Sequence, residues 1–311
     1  MKKYGTYLIF LAAMLWATDA PFRAHLTADL PSNFIVLAEH FFDILFVLPI
    51  LLLNLKDLKH LTRKEWGAIL FISIGGSALA SIAFTQAFHY VNPSVAILLQ
   101  KLQPLIAIGL AASLLHEKRN KNFWIWAVVA LVGAYFISFA GLKPELFPGE
   151  KLNPNVLGVL LALVAAFFWG GSTVMGRYVL SSVNFKVMTS LRFCGAFVFL
   201  LILNLTQKTI PSLSQVTTID WLFLLIIAVT SGVVSLFIYY RGLQTTQASV
   251  ATLAELGFPL AAVVINYLSY KMGWITQNTT LNMVQILGMA ILLFGVYNLA
   301  SVNQQITIKQ N

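Results

Sequence analysis

Six side chains that carry charge or exchange protons lie inside long apolar stretches of this chain: Glu39, His40, Asp43, Lys101, Arg192 and Glu255. A charge in hydrocarbon costs at least about 2.5–3.5 kcal/mol on the insertion scale, so it persists where it pairs or faces a polar cavity. Such groups can recognise a polar solute or move a proton. Glu39 and Asp43 stand one helical turn apart on a shared face. Two carboxylates that close repel, which suits one of them to carry a proton. His40, beside them, is of the residue type that exchanges protons near neutral pH, so proton coupling is left open. Nothing here suggests bond-making chemistry or a cofactor. There is no Cys/His metal spacing, no phosphate-binding glycine loop and no recognisable catalytic aspartate pair, so an enzyme is not expected. The single cysteine, Cys194, rules out an intrachain disulfide and reads as a packing residue.

The elements that must position these groups are membrane helices. Of the 311 residues, 59% are hydrophobic and 10% charged, whereas a soluble domain is nearer a quarter charged. Ten apolar runs of roughly the membrane-crossing length of ~20 residues recur, at about 5–22, 33–53, 66–88, 93–115, 123–141, 155–177, 185–205, 220–241, 247–270 and 281–300. None alternates with period two, so helices are the expected spans. The fold class predicted is an all-α integral membrane protein. The net charge of +9 does not point to nucleic acid, because its distribution is one-sided. Lys2, Lys3, Lys56, Lys59, Arg63, Lys64, Lys118, Arg119, Lys121, Arg177, Lys186, Arg241 and Lys309 fall on one side of such a bundle, against Arg23, Lys143, Lys151, Lys208 and Lys271 on the other. The positive-inside rule then places both termini in the cytoplasm of a cell (inner) membrane protein.

The chain also repeats itself. Residues 94–104 read SVAILLQKLQP and residues 249–259 read SVATLAELGFP, so Ser94, Val95, Ala96, Leu98 and Pro104 are answered by Ser249, Val250, Ala251, Leu253 and Pro259. Trp66 maps to Trp221, Gly76-Ser77 to Ser231-Gly232, Trp16 to Trp169, and Asn33-Phe34 to Asn184-Phe185. The organisation expected is a five-helix repeat over 1–141, a linker loop over 142–154, a second five-helix repeat over 155–303 and a tail over 304–311. Five is odd, so the second unit is inverted relative to the first, a construction used by many secondary transporters. Each proline removes an N–H and frees the carbonyl four residues earlier, on Gln100 and on Glu255. Gln100 and Glu255 are equivalent positions, so the repeated segment is expected to line a cavity from two directions; a packing kink without a ligand is the alternative.

The Trp-containing first helix, the SVAxLxxxxxP segment, LLHEK after the fourth run and the LFGVY ending resemble the EamA branch of the drug/metabolite transporter superfamily. The resemblance covers nearly the whole chain. It implies ten helices in two repeats and carriage of small metabolites or drugs, with proton coupling in some members. One departure is visible: Glu117 follows the fourth run, but the second repeat reads SYKMGW, with Lys271 where the family often has Gly-Glu.

Depth in the membrane predicts two pairs, Lys101 with Glu39 or Asp43 and Arg192 with Glu255. They either border a central cavity or lock helices together. Trp16, Trp169, Tyr239 and Tyr240 could box a ring or an organic cation, or serve as core aromatics. Asp19, Pro21 and Arg23 read as a helix terminus or a gate, and His89 as interfacial. Gly288 and Gly295 fit close packing or a dimer contact, leaving monomer and homodimer open. The function expected is alternating-access transport of a small polar or zwitterionic metabolite such as an amino acid or related amine. A lipid-linked substrate flippase, or an exporter of drugs or nucleotide-like cofactors, is the alternative.

Overall fold

The computed structural model describes residues 4–87, 90–91, 96, 99–139, 141–142, 156–273 and 281–309. Ser94, Val95, Leu98, His89, Lys143, Lys151 and nearly all of the 142–154 linker lie outside the described residues. Among those described there is no β-strand. The helices are α1 (Gly5–Trp16), α2 (Ala20–Asp29), α3 (Ser32–Leu53), α4 (Arg63–Leu70), α5 (Ala80–Ala87), α6 (Gln103–Leu114), α7 (Lys121–Ser138) and α8 (Val156–Val179). They continue with α9 (Phe185–Gln207), α10 (Thr218–Ile227), α11 (Ser235–Leu243), α12 (Ala248–Ala254), α13 (Gly257–Lys271) and α14 (Met283–Lys309). A π-helical stretch, Phe71–Leu79, joins α4 to α5, and another, Ala228–Val234, joins α10 to α11.

Among the described residues, eight helical segments are long and apolar enough to cross a bilayer: Ser32–Leu53, Arg63–Phe84, Lys121–Ser138, Val156–Val179, Phe185–Gln207, Thr218–Leu243, Ala248–Lys271 and Met283–Val302. Two of the ten runs read from the sequence are shorter here. The first is interrupted by a 3-10 turn over Ala17–Asp19, where the Thr18 hydroxyl bonds the Leu15 carbonyl at 2.7 Å, and Pro21 then starts α2. The fourth is broken at Lys101-Leu102, leaving the 12-residue α6. Large apolar side chains such as Leu53, Val156 and Tyr297 face outward. The chain is a multi-pass membrane protein.

Local signals recur at the repeat offset. Thr62 with Glu65 caps α4, and Thr217 with Asp220 caps α10, each as a reciprocal capping box. α3 with α9, and α7 with α14, pack side by side and antiparallel. At one end of the α3–α9 pair, Asn33 Nδ2 donates to Gln207 Oε1 at 2.8 Å and Asn204 Nδ2 to the Asn33 carbonyl at 3.1 Å. At the other end, Asn184 Nδ2 donates to Asp57 Oδ2 at 3.1 Å. In the α7–α14 pair, Gln285 Nε2 reaches the Ile137 carbonyl at 3.3 Å. There Gly133 lies against Leu292, where a Cβ would come within 2.5 Å of backbone nitrogen. Both main apolar cores draw residues from each half of the chain, for example Ile9 with Tyr240 and Phe123 with Leu292.

Candidate functional site

The two copies of the repeated stretch are helix breaks. α12 ends at Ala254, α13 begins at Gly257, and the intervening turn carries Glu255. Pro259 sits buried in the first turn of α13. Pro104 occupies the same kind of place in α6, where its missing N–H is an orphan in any case. The sequence reading left the Glu255 carbonyl unpartnered. The structure corrects this, since the Phe258 N–H donates to that carbonyl at 3.1 Å by tightening the turn to three residues.

Around the Glu255 carboxylate three neutral donors converge. Oε1 accepts from the Tyr239 hydroxyl at 2.7 Å and the Thr173 hydroxyl at 2.8 Å, and Oε2 accepts from Gln103 Nε2 at 2.8 Å. Thr173 and Tyr239 are themselves 2.9 Å apart. The donors come from α8, α11 and the start of α6, so one carboxylate ties four helices from both halves. Trp16 places its ring 5.2 Å from that of Tyr239, which in turn lies 5.2 Å from Tyr240. Trp169 does not join this set as a ring. It packs on Phe84 at 5.2 Å, and its carbonyl lies 3.4 Å from the Thr173 hydroxyl oxygen.

Arg192 adjoins the cluster through Tyr240. Its Nη1 donates to the Tyr240 hydroxyl at 3.0 Å and its Nε to Ser77 Oγ at 2.8 Å, with the guanidinium 5.9 Å from the Tyr240 ring centre. Ser77 lies in the first π-helical stretch. Its repeat equivalent, Gly232, lies in the second and is pressed against Asp43, where a Cβ would fall 2.5 Å from Oδ1. π-helical turns recur at functional sites. Asp43 is 2% exposed, and among the described residues its Oδ1 has no hydrogen-bond partner. His40 Nδ1 meets the Val36 carbonyl at 2.9 Å, its ring stands edge-on to Phe193 at 5.6 Å, and its buried Nε2 has no partner among the described residues.

Both predicted ion pairs are replaced by other contacts. Glu39 takes Arg23 rather than Lys101: Arg23 Nη2 is 3.1 Å from Glu39 Oε2, while its Nε and Nη2 grip Asp19 Oδ2 at 3.0 and 2.9 Å. The helical continuation after the 3-10 turn sets Asp19 and Arg23 one turn apart, and a planar guanidinium spans two carboxylates better than an ammonium does. Arg192 and Glu255 are separated by the Tyr239–Tyr240 step, each satisfied by neutral groups. Lys101 and Gln100 are half-buried at the first helix break, and Lys101 forms no ion pair among the described residues. Gln103 and Thr173 carry no signal of their own in the sequence, while Arg23 reads there as a helix terminus or gate and Ser77 only as a repeat position. Gln103 was within reach of it, one turn beyond Gln100 in the repeated stretch. Among the described residues, no group of three or more potential ligands could hold a metal ion.

The profile of the EamA-like transporter family matches residues 3–139 and 156–301. The chain belongs to the EamA-like transporter family. Members of this family are transporters, not enzymes. The chain is 30% identical to the riboflavin transporter ImpX of Fusobacterium nucleatum, over 96% of this chain and 98% of that one. It is 23% identical to the transporter YetK of Bacillus subtilis, over 95% and 87%. A crystal structure superposes with a TM-score of 0.75 at 16% identity, covering 97% of this chain and 98% of the other, which shows a shared fold.

Proposed function

We propose that this EamA-like protein is a secondary transporter of ten transmembrane helices in two inverted five-helix repeats, about 1–141 and 155–303. Its substrate, in this reading, is a small polar metabolite with a planar heteroaromatic ring, the class that includes riboflavin. The antiparallel packing of repeat-equivalent helices supports the inversion, because α3 and α9 are counterparts in sequence and run opposite ways. The basic residues on one side support cytoplasmic termini in a cell membrane. The observation that carries the substrate class is the Glu255 cluster. A carboxylate, an amide and two hydroxyls lie at a break between half-helices, beside the Trp16–Tyr239 ring pair. A planar ring stacks on indole and phenol faces, while its polar edge exchanges hydrogen bonds with the amide and hydroxyls. The full-length likeness to a riboflavin transporter points the same way. An amine or amino acid fits less well, since Glu255 already holds three donors and an ammonium would have to displace one.

Titration of the purified protein in detergent with riboflavin, followed by its fluorescence, tests the reading. Saturable quenching is expected, weakened about tenfold or more in Trp16→Ala, with a mixture of amino acids failing to compete. No quenching, together with thermal stabilisation by amino acids or amines, would overturn the substrate class.

A further inference from the structure

Glu117, which the sequence singles out after the fourth apolar run, is not used by the site above. The chain turns beside it through His116, whose φ is 53°, and the Glu117 N–H closes back on the Ala111 carbonyl at 3.1 Å. This left-handed helix stop aims the next side chain away from its own helix. The Glu117 carboxylate crosses to the other repeat. Oε1 accepts the Ala248 N–H at 2.8 Å, and Oε2 accepts the Ser249 N–H at 3.2 Å and the Ser249 hydroxyl at 2.8 Å. Arg119 pairs with the same carboxylate and donates from Nη1 to Gln247 Oε1 at 2.8 Å. Both side chains are closed off, at 5% and 8% exposure. Burial holds the Arg119 guanidinium down at about 10.

What they grip is the first turn of α12, the seven-residue half-helix whose far end leads directly into Glu255. An acidic group on these N–H donors also complements the helix dipole. The repeat equivalent of Glu117 is Met272. It accepts nothing strongly and is 64% exposed, while neighbouring Lys271 rests on the Tyr267 ring at 5.7 Å. Among the described residues a carboxylate clasp therefore joins the two halves at Glu117, and the equivalent position carries Met272 in place of a carboxylate.

We propose that Glu117 and Arg119 form a one-sided latch that shuts their end of the transporter over α12 and sets the resting state as closed there. The latch also makes Glu117 a positioning residue for Glu255. The inference rests on the two-repeat reading and is independent of the substrate.

The test uses full-length protein carrying Cys194→Ser, which removes the only native thiol, and Thr252→Cys as reporter. Thr252 is 1% exposed, one turn before Glu255. Labelling by a small maleimide is expected to be slow in this parent and about tenfold faster after Glu117→Gln, as a buried charge-assisted clasp is weakened. Arg119→Ala is expected to accelerate it in the same direction, and it carries the test if Glu117→Gln does not accumulate folded. Gly133→Ala, which crowds the distant α7–α14 contact, serves as a control for general loosening. Unchanged labelling in the latch variants, or equal acceleration in Gly133→Ala at matched loss of melting temperature, would overturn the latch. Flavin binding can succeed or fail independently of either result.

Discussion

The Glu255 cluster predicts a specific non-additivity. Tyr239→Phe removes one hydroxyl that donates to Oε1 at 2.7 Å and leaves the ring contacts to Trp16 and Tyr240 in place. A hydrogen bond to a charged group contributes about 1.5–3 kcal/mol. Thr173 still donates to the same oxygen at 2.8 Å, so the loss falls at the lower end. Thr173→Val is equivalent, because Tyr239 remains. In the double variant Oε1 keeps neither donor, and a buried carboxylate oxygen left bare costs considerably more than a bond exchanged. The double variant should therefore be destabilised beyond the sum of the singles by about 1 kcal/mol or more, within the usual range for residues in one network. Thermal unfolding in detergent reads this. Each kcal/mol corresponds to roughly 2–4 °C in chains of 150–250 residues, and this longer chain lies at the lower edge. A double variant additive within about 0.5 kcal/mol would refute the shared-oxygen reasoning.

Two further predictions follow from contacts at the edge of the site. Arg23→Ala strands the Glu39 carboxylate, which is 7% exposed, and should destabilise by about 2–3 kcal/mol, below the fully buried case because Arg23 is 35% exposed. Adding Glu39→Gln should recover most of the lost melting temperature; no recovery would mean that Arg23 acts through contacts other than Glu39, such as Asp19. Gly232→Ala drives a methyl to within 2.5 Å of Asp43 Oδ1 and should cost about 1–3 kcal/mol as overpacking. Asp43→Ala should relieve that cost, and a Gly232→Ala protein as stable as the parent would show that the π-helical stretch gives way instead.

Much of this architecture is legible in the residues, for reasons that differ by element. The two helix breaks announce themselves because a proline, a charge and a repeated segment coincide, and Glu255 emerged as a site residue on that ground. The capping boxes at Thr62 and Thr217 carry their own local signal. The partners were harder to read. Depth alone pairs Lys101 with Glu39 or Asp43, whereas the 3-10 turn at Ala17–Asp19 interrupts the first run and α2, which follows it, brings Arg23 onto Glu39. Thr173 and Gln103 are neutral, so they raise no cost in an apolar run and leave no trace in composition. Only packing reveals them. Trp16 and Trp169 are equivalent in sequence but not in role, because Tyr239 faces one and Phe84 the other.

The most direct measurement is uptake of radiolabelled riboflavin into proteoliposomes by the wild-type protein and by Glu255→Gln. Saturable uptake that falls at least about tenfold in Glu255→Gln, through loss of the charge-assisted bonds from Tyr239, Thr173 and Gln103, is the predicted result. Wild-type vesicles that take up no riboflavin, or Glu255→Gln vesicles that transport as well as wild type, would contradict a ring-binding site organised by Glu255.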